Sequence, residues 1–268
     1  TMGQQADTGM QMSKRQRAVL QRDRRILESA RQTLLEEGYY GLTMDRIAED
    51  SDCPKGTLYQ RFSSKEDVIL ALAIESHEKR LAMIRRGAAY PGRSRARMCA
   101  VGEGMALFTR LHPNDSRILH IATGNLREKA GPGRLENVMK AEHATVVILE
   151  DILKAAQADG DLPDGADVTQ VAFGLWALVD GAYTLIEEGA PQLTLGITHP
   201  ILELWLVYHR LADAYQWKPL FDEMDWEELM AEVRRTIFPE EAQQVYGEHC
   251  WYGDRQTKDG DINPLGFL

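Results

Sequence analysis

The stretch Thr43–Lys65, TMDRIAEDSDCPKGTLYQRFSSK, decides the fold. Thr43 is a residue type suited to capping a helix, and Met44, Ile47 and Ala48 give the segment behind it one apolar face. Asp50-Ser51-Asp52 breaks that pattern. A second short helix is expected to start at Pro54, because proline's missing N–H would be unpaired in a first turn anyway. Leu58 and Phe62, four apart, then point inward. Lys55, Gly56, Thr57, Tyr59, Gln60 and Arg61 are left for another surface. Two short helices across a tight turn, the second with hydrogen-bonding groups and a glycine on its free face, follow the helix-turn-helix plan.

The flanks extend this reading. Arg22–Glu37 carries Ile26, Ala30 and Leu34 at four-residue spacing and meets a natural C-terminal cap at Gly38. Past Phe62, Ser63 or Ser64 caps a long helix with Glu66 and Asp67 in its first turn, where the helix dipole favours acids, and this helix runs to about Arg86. Pro91-Gly92 punctuates the chain. Further helices are expected over Ala96–Leu111, Ser116–Lys129, Arg134–Ala158, Val168–Glu188, Pro200–Tyr215 and Asp222–Ile237. No alternating pattern of a strand and no internal repeat is visible, so the fold expected is all-α: an N-terminal helix-turn-helix head of three helices, joined by a long helix to a larger helical body for ligand binding and dimerisation. The expected divisions are a flexible basic arm (1–21), the DNA-binding head with its connecting helix (22–86), the effector-binding and dimerisation body (93–215) and a C-terminal extension (216–268).

The chain has 268 residues and a formal net charge of −10, which by itself argues against a nucleic-acid partner. The distribution of charge argues the other way. Residues 1–90 hold 15 Lys/Arg against 13 Asp/Glu (+2), and residues 91–268 hold 16 against 28 (−12). Lys14, Arg15, Arg17, Arg22, Arg24 and Arg25 stand together with only Asp23 opposing, so a basic end tops an acidic body. They read equally as a solvated tail or as an arm entering a neighbouring minor groove. No apolar run approaches the roughly 20 residues needed to span a bilayer, and the N-terminal residues hold no signal-peptide core. Cys53, Cys99 and Cys250 are scattered and odd in number, which fits a reducing, cytoplasmic setting.

Residues 22–86 resemble the DNA-binding domain of TetR-type transcriptional regulators: a first helix ending in Gly38-Tyr39, Ile47-Ala48 behind Thr43, the run Lys55-Gly56-Thr57-Leu58-Tyr59 closed by Phe62, and Lys65-Glu66 opening a fourth helix. Asp52 stands where that pattern usually has glycine, Pro54 where a Ser or Thr is frequent, and Arg61 where His or Tyr is common. By position, Thr43 and Lys65 would meet phosphates, Arg46 would add a contact, and Lys55, Thr57 and Gln60 would reach base edges. Gly56 removes a side chain where backbone and groove come close, and Tyr59 would offer its hydroxyl to a phosphate. One short recognition helix reads few bases, so a homodimer through helices 168–188 and 200–215 on a near-palindromic operator of double-stranded DNA is expected, with recognition helices about 34–36 Å apart or a multiple of that.

The resemblance also implies a pocket for a small, largely apolar effector, with Met105, Phe108, His120, Asn125, His143, Val147, Phe173, Trp176, Asp180 and Tyr183 as candidate lining residues. Its expected role is a repressor released by that effector. The alternatives are a DNA-binding dimer without an effector, or an activator. No Gly-x-Ser-x-Gly, phosphate-binding loop, dinucleotide fingerprint or ligand-spaced Cys/His cluster is present, so neither catalysis, nor a cofactor, nor a metal is expected. The apolar residues of 222–268 (Met224, Leu229, Trp251, Phe267 among them) suggest an extension that packs across a dimer or roofs the pocket.

Overall fold

A computed structural model describes residues 13–123 and 125–247, and among them all regular structure is helical. Thirteen α-helices follow in chain order: α1 Lys14–Gly41, α2 Met44–Asp50, α3 Lys55–Arg61, α4 Lys65–Ala88, α5 Ser94–Leu111, α6 Pro113–Ile121, α7 Asn125–Glu128, α8 Pro132–Ala158, α9 Val168–Glu187, α10 Ala190–Leu195, α11 Pro200–Ala214, α12 Trp226–Thr236 and α13 Pro239–Tyr246. A single 3-10 turn, Phe221–Glu223, precedes α12. No helix among the described residues is long and apolar enough to cross a membrane. The chain divides into two units, Thr1–Ala73 with Ile121–Glu136, and Ile74–His120 with Asn137–Leu268, so that α4 and α8 each begin in the first and end in the second.

The first unit is built on α1 to α3 and the start of α4. Ile26, Ala30 and Leu34 of α1, Leu42, Ile47 and Ala48 behind the Thr43 cap, Leu58, Phe62 and Val68 are all buried. Gly38 interrupts α1 at φ +73 and ψ −173, a positive-φ conformation that glycine adopts without strain, at the position where the helix is expected to stop. At its other end α1 starts earlier than expected. Ser13 and Gln16 form a reciprocal capping box, so residues 14–21 of the expected flexible arm are helical; residues 1–12 lie outside the described region. Of the two candidate caps for α4 the geometry selects Ser64, whose hydroxyl accepts from the Asp67 amide at 3.2 Å. Asp67 in turn accepts from the Ser63 amide at 3.0 Å and from Arg134 Nε at 3.0 Å.

The second unit packs α5 between two apolar clusters. One joins Ile84, Met98 and Val101 to Ile152, Leu153, Val171, Leu175, Ala212 and Trp217. The other joins Met83, Cys99, Leu107 and Phe108 to Trp226, Leu229, Met230, Val233 and Phe238. The α4–α5 contact is backbone-close: a Cβ on Gly87 would stand 2.5 Å from the Ala100 carbonyl oxygen, so only glycine fits. Where one helix was expected over Ser116–Lys129, α6 starts at Pro113, directly after the His112 cap of α5, and a turn at 122–123 separates it from α7. The described part of the extension past residue 215 forms α12 and α13, which lie on α5, and Trp251 and Phe267 lie outside the described residues.

Two buried charge systems tie the late chain to α5. The Arg95 side chain is fully buried; its Nη1 donates to Asp213 (2.6 Å), the Trp217 carbonyl (2.7 Å) and the Pro219 carbonyl (2.6 Å), and its Nη2 reaches His209 Nδ1 at 2.9 Å. His209 is thereby held neutral. Burial first, then the Arg95 charge, push it down to about 3. Farther along α5, Glu103 accepts from Arg234 Nε at 2.7 Å and Nη2 at 3.2 Å, and from the Tyr246 hydroxyl at 3.0 Å.

Removing one partner of a buried pair strands the other charge, at about 3–5 kcal/mol. Arg234→Ala should therefore lower the melting temperature followed by circular dichroism by roughly ten degrees, at about 2–4 °C per kcal/mol for a domain of this size. The double variant Glu103→Leu with Arg234→Met should recover most of that loss; equal melts for Arg234→Ala and wild type would contradict the packing. His209 generates a pH dependence. The unfolded chain takes up its proton below about 6.5, the folded one only near 3, so this contribution is complete above pH 6.5 and drains as pH falls toward 3. His209→Asn should melt with a shallower decline between pH 6.5 and 4 than wild type, and parallel declines would exclude the effect.

Candidate nucleic-acid face and apolar cavity

Local chemistry fixes the helix-turn-helix. The Thr43 hydroxyl accepts from the Arg46 amide at 3.2 Å and starts α2. At the other end Ser51 is helical, Asp52 turns left-handed at φ +50, and the Cys53 amide closes back onto the Ala48 carbonyl at 2.9 Å. Asp tolerates that conformation better than most residues, which lets it stand where the family pattern uses glycine. Pro54 is the N-cap position of α3 and not, as the sequence suggested, its first helical residue; it supplies no side-chain cap.

The face that results is partly open and partly occupied by acids. Leu58 and Phe62 are buried, while Lys55, Gly56, Tyr59 and Gln60 are exposed and Thr57 is half-buried. A Cβ on Gly56 would meet nothing within 4 Å, so no packing inside the unit demands glycine there. Lys55 Nζ lies 2.8 Å from Asp45 Oδ1. Hydrogen bonding to Asp45 raises the Lys55 pKa, and an ion pair this exposed is worth little and is easily exchanged. Arg46 pairs with Glu37 and Asp50, and Arg61 grips Asp23 of α1 through both Nε and Nη2. Arg61 thus braces α3 against α1, a role the sequence did not disclose.

Lys65 differs from expectation most clearly. Its ammonium does not stand open as a phosphate contact. It donates to the carbonyls of Tyr39 (2.8 Å) and Leu42 (3.1 Å) and sits 3.8 Å from the centre of the Tyr39 ring. Carbonyls left over at a helix end attract a cation, and the ring face adds to the attraction. The Tyr39 hydroxyl donates to Glu66 at 2.5 Å, and that hydrogen bond, with burial, raises its pKa to about 12.

The second unit holds a partly open cavity of about 200 Å³. Its walls come from α5 (Met98, Cys99, Glu103, Met105), α8 (Thr145, Leu149), α9 (Leu175, Trp176, Val179, Asp180, Tyr183), α11 (Leu204, Trp205, Tyr208) and α12 (Met230), with Arg80 of α4. Of the candidate lining residues, Met105, Trp176, Asp180 and Tyr183 are there. Phe108 is not: it is packed in the core beneath α12 and α13. Thr145 and Leu149 set the inner stripe of α8, so His143 and Val147, two residues out of phase, face outward. Phe173 is 64% exposed at the edge of α9, His120 is exposed on α6, and the Asn125 side chain is outside the described residues. The sequence reading missed Arg80, Glu103, Trp205, Tyr208 and Met230. Arg80 had left a sign, as a lone arginine within the stripe His77, Leu81, Ile84.

Residues 26–72 match the family model described as "Bacterial regulatory proteins, tetR family". By this head the chain is similar to TetR-family regulators. The HTH-type transcriptional regulator UidR of Escherichia coli K12 is 38% identical over 61 residues, 23% of this chain and 31% of its own length. The chain thus spans just under a third of the UidR regulators it matches. Among solved structures, the TetR family transcriptional regulator PfmR from Thermus thermophilus superposes with a TM-score of 0.53 at 16% identity, over 70% of this chain and 96% of that one. The SmeT–triclosan complex gives 0.52 at 17% identity, over 75% and 94%. Beyond the head these solved structures share only the fold, while the Fatty acid metabolism regulator protein of Bacillus subtilis (strain 168) is 24% identical over 181 residues, 60% of this chain and 86% of its own length.

The Lys65 contacts yield a prediction. A lysine that served only phosphate would leave the DNA-free protein unchanged on removal. Charge-assisted hydrogen bonds contribute about 1.5–3 kcal/mol, so Lys65→Ala should lower the melting temperature of the protein without DNA. An unaltered melt would return Lys65 to the phosphate role.

Proposed function

We propose that this chain is a sequence-specific, DNA-binding transcriptional regulator, a repressor that a small, largely apolar effector releases from its operator. The observation that carries the reading is the free face of α3: Lys55, Gly56, Thr57, Tyr59 and Gln60 on one side, anchored by Leu58 and Phe62 on the other. Glutamine can pair two-fold with adenine and lysine with guanine, and the bare glycine admits a groove wall. Thr43 at the α2 N-terminus and Tyr59 supply phosphate contacts, with Arg46 and Lys55 available once DNA phosphates outcompete their exposed acidic partners. Lys65 serves this face indirectly, by holding the end of α1.

A homodimer through α9 and α11 completes the device. Phe173, Trp176 and Val207 are 64%, 52% and 41% exposed on these two helices, more apolar surface than a lone subunit usually leaves to water. Two-fold pairing presents two recognition helices to a near-palindromic site of double-stranded DNA. The cavity supports the effector, as does the bound triclosan in the SmeT structure of similar fold. A single helix, α4, carries Lys65 at its start and Arg80 on the cavity wall. A ligand that binds more tightly when the heads are spaced wrongly for the operator must release it, by linkage.

Fluorescence anisotropy with DNA flanking the protein's own gene, against scrambled duplex, tests this reading across a salt series. Specific binding should exceed non-specific by about 10³-fold or more and weaken with salt. Gln60→Ala should lose about 1–3 kcal/mol on the specific site alone, whereas Tyr59→Ala should weaken both duplexes. Equal, weak binding to specific and scrambled DNA by the wild type would count against the proposal.

A further inference from the structure

The cavity wall is apolar apart from a few groups, and one of those is in an unusual electrostatic position. The Arg80 guanidinium donates from Nη2 to His77 Nδ1 at 3.1 Å. That bond fixes His77 with its Nε2 turned to Glu142, 3.7 Å away. Arg80 Nε is sealed from solvent and has no hydrogen-bond partner. Asp180 and Glu142 both attract the charge, yet burial outweighs them and holds the Arg80 pKa below its ordinary value. Glu142 is beside His77, and Asp180 is exposed to screening solvent. A guanidinium stays charged in any protein environment, and although Asp180 and Glu227 stand on the same wall, the Arg80 Nε–H is left without an acceptor. The matching ligand group is a carboxylate, which takes two parallel N–H donors from arginine.

The rest of the wall sets the body of the ligand. Trp176, Trp205, Met98, Met105 and Met230 surround the space, and rings pack well against both aromatic faces and thioether sulfurs. The volume of about 200 Å³ compares with about 150 Å³ for an apolar cavity that admits benzene, so there is room for one ring and a short tether. The Tyr208 hydroxyl is a second buried donor without a partner on the same wall. We propose that the cavity takes a compact aromatic monocarboxylate, its ring among the tryptophans and methionines and its carboxylate on Arg80. This rests on the cavity being the effector site.

The test is isothermal titration calorimetry of the full chain with three probes of one shape: 4-phenylbutanoate, 4-phenylbutan-1-ol and 4-phenylbutylamine. The carboxylate should bind about tenfold or more tighter than the alcohol, a difference of about 1.4 kcal/mol, and the amine weakest. Arg80→Gln should abolish the preference while leaving the alcohol affinity within about twofold, which also shows that the variant is folded; Arg80→Lys should keep part of it, as a charge without the fork. Alcohol or amine binding as tightly as the carboxylate, or an Arg80→Gln protein that retains the preference, overturns the proposal and leaves the cavity as an apolar site. If none of the probes binds, the proposal fails and the effector reading loses its main support. If the carboxylate binds through Arg80 but leaves the operator complex intact in anisotropy, the ligand class stands and release by it does not.

Discussion

A seven-residue helix such as α3 has no stability of its own in water. Everything it presents to a partner depends on Leu58 and Phe62, which are buried and fix which side faces out. The polar contacts around it act on the same constraint. Asp52 sets the angle of entry by turning left-handed, Arg61 clamps the far end to Asp23, and Lys65 ties the helix after it to the end of α1. Loosening any of these leaves the recognition side chains in place and spreads their directions. A reader of base edges tolerates that poorly, because bidentate pairing demands orientation as well as proximity.

The second unit solves a related problem with charges in place of short helices. Its cavity lies among α5, α9 and α11, and buried ionic systems join α5 to α11, α12 and α13. Arg95 gathers His209, Asp213, Trp217 and Pro219 around one guanidinium. Glu103 draws in Arg234 and Tyr246 from the C-terminal helices. The described part of the extension past residue 215 is therefore part of the helical body, since it supplies Met230 to the cavity wall and the partner that neutralises Glu103 on it. Buried pairs of this kind are weak evidence for extra stability and better understood as fixing one arrangement of helices over others.

How much of this was legible follows from where the information lies. The head is encoded locally: a cap, a turn and an apolar pair within 23 residues name their own geometry, α2 and the Gly38 break fall where the sequence puts them, and α3 starts one residue later. The beginning of α1 was misread because the capping box of Ser13 and Gln16 lies in a segment whose charges suggested a solvated arm. Lys65 and Arg61 were read as surface groups because their partners, Tyr39, Leu42 and Asp23, stand 23 to 38 residues away in the chain. The cavity was half visible. Met105, Trp176, Asp180 and Tyr183 carry helical phase that a sequence can show, while Arg80, Trp205 and Met230 meet there only through tertiary packing of helices far apart in sequence. Phe173 illustrates the remaining ambiguity, since one residue of phase separates a cavity wall from a surface edge.

Selection of binding sites from a pool of random duplex by the purified chain tests the central claim most directly, because it asks for sequence reading and two-fold pairing in one step. The account predicts enrichment of two inverted half-sites at a fixed separation near one helical turn or a multiple of it, and loss of the shared bases in the half-sites when Gln60 is replaced by alanine. A pool that stays random, or one that converges on a single unpaired half-site, would contradict it.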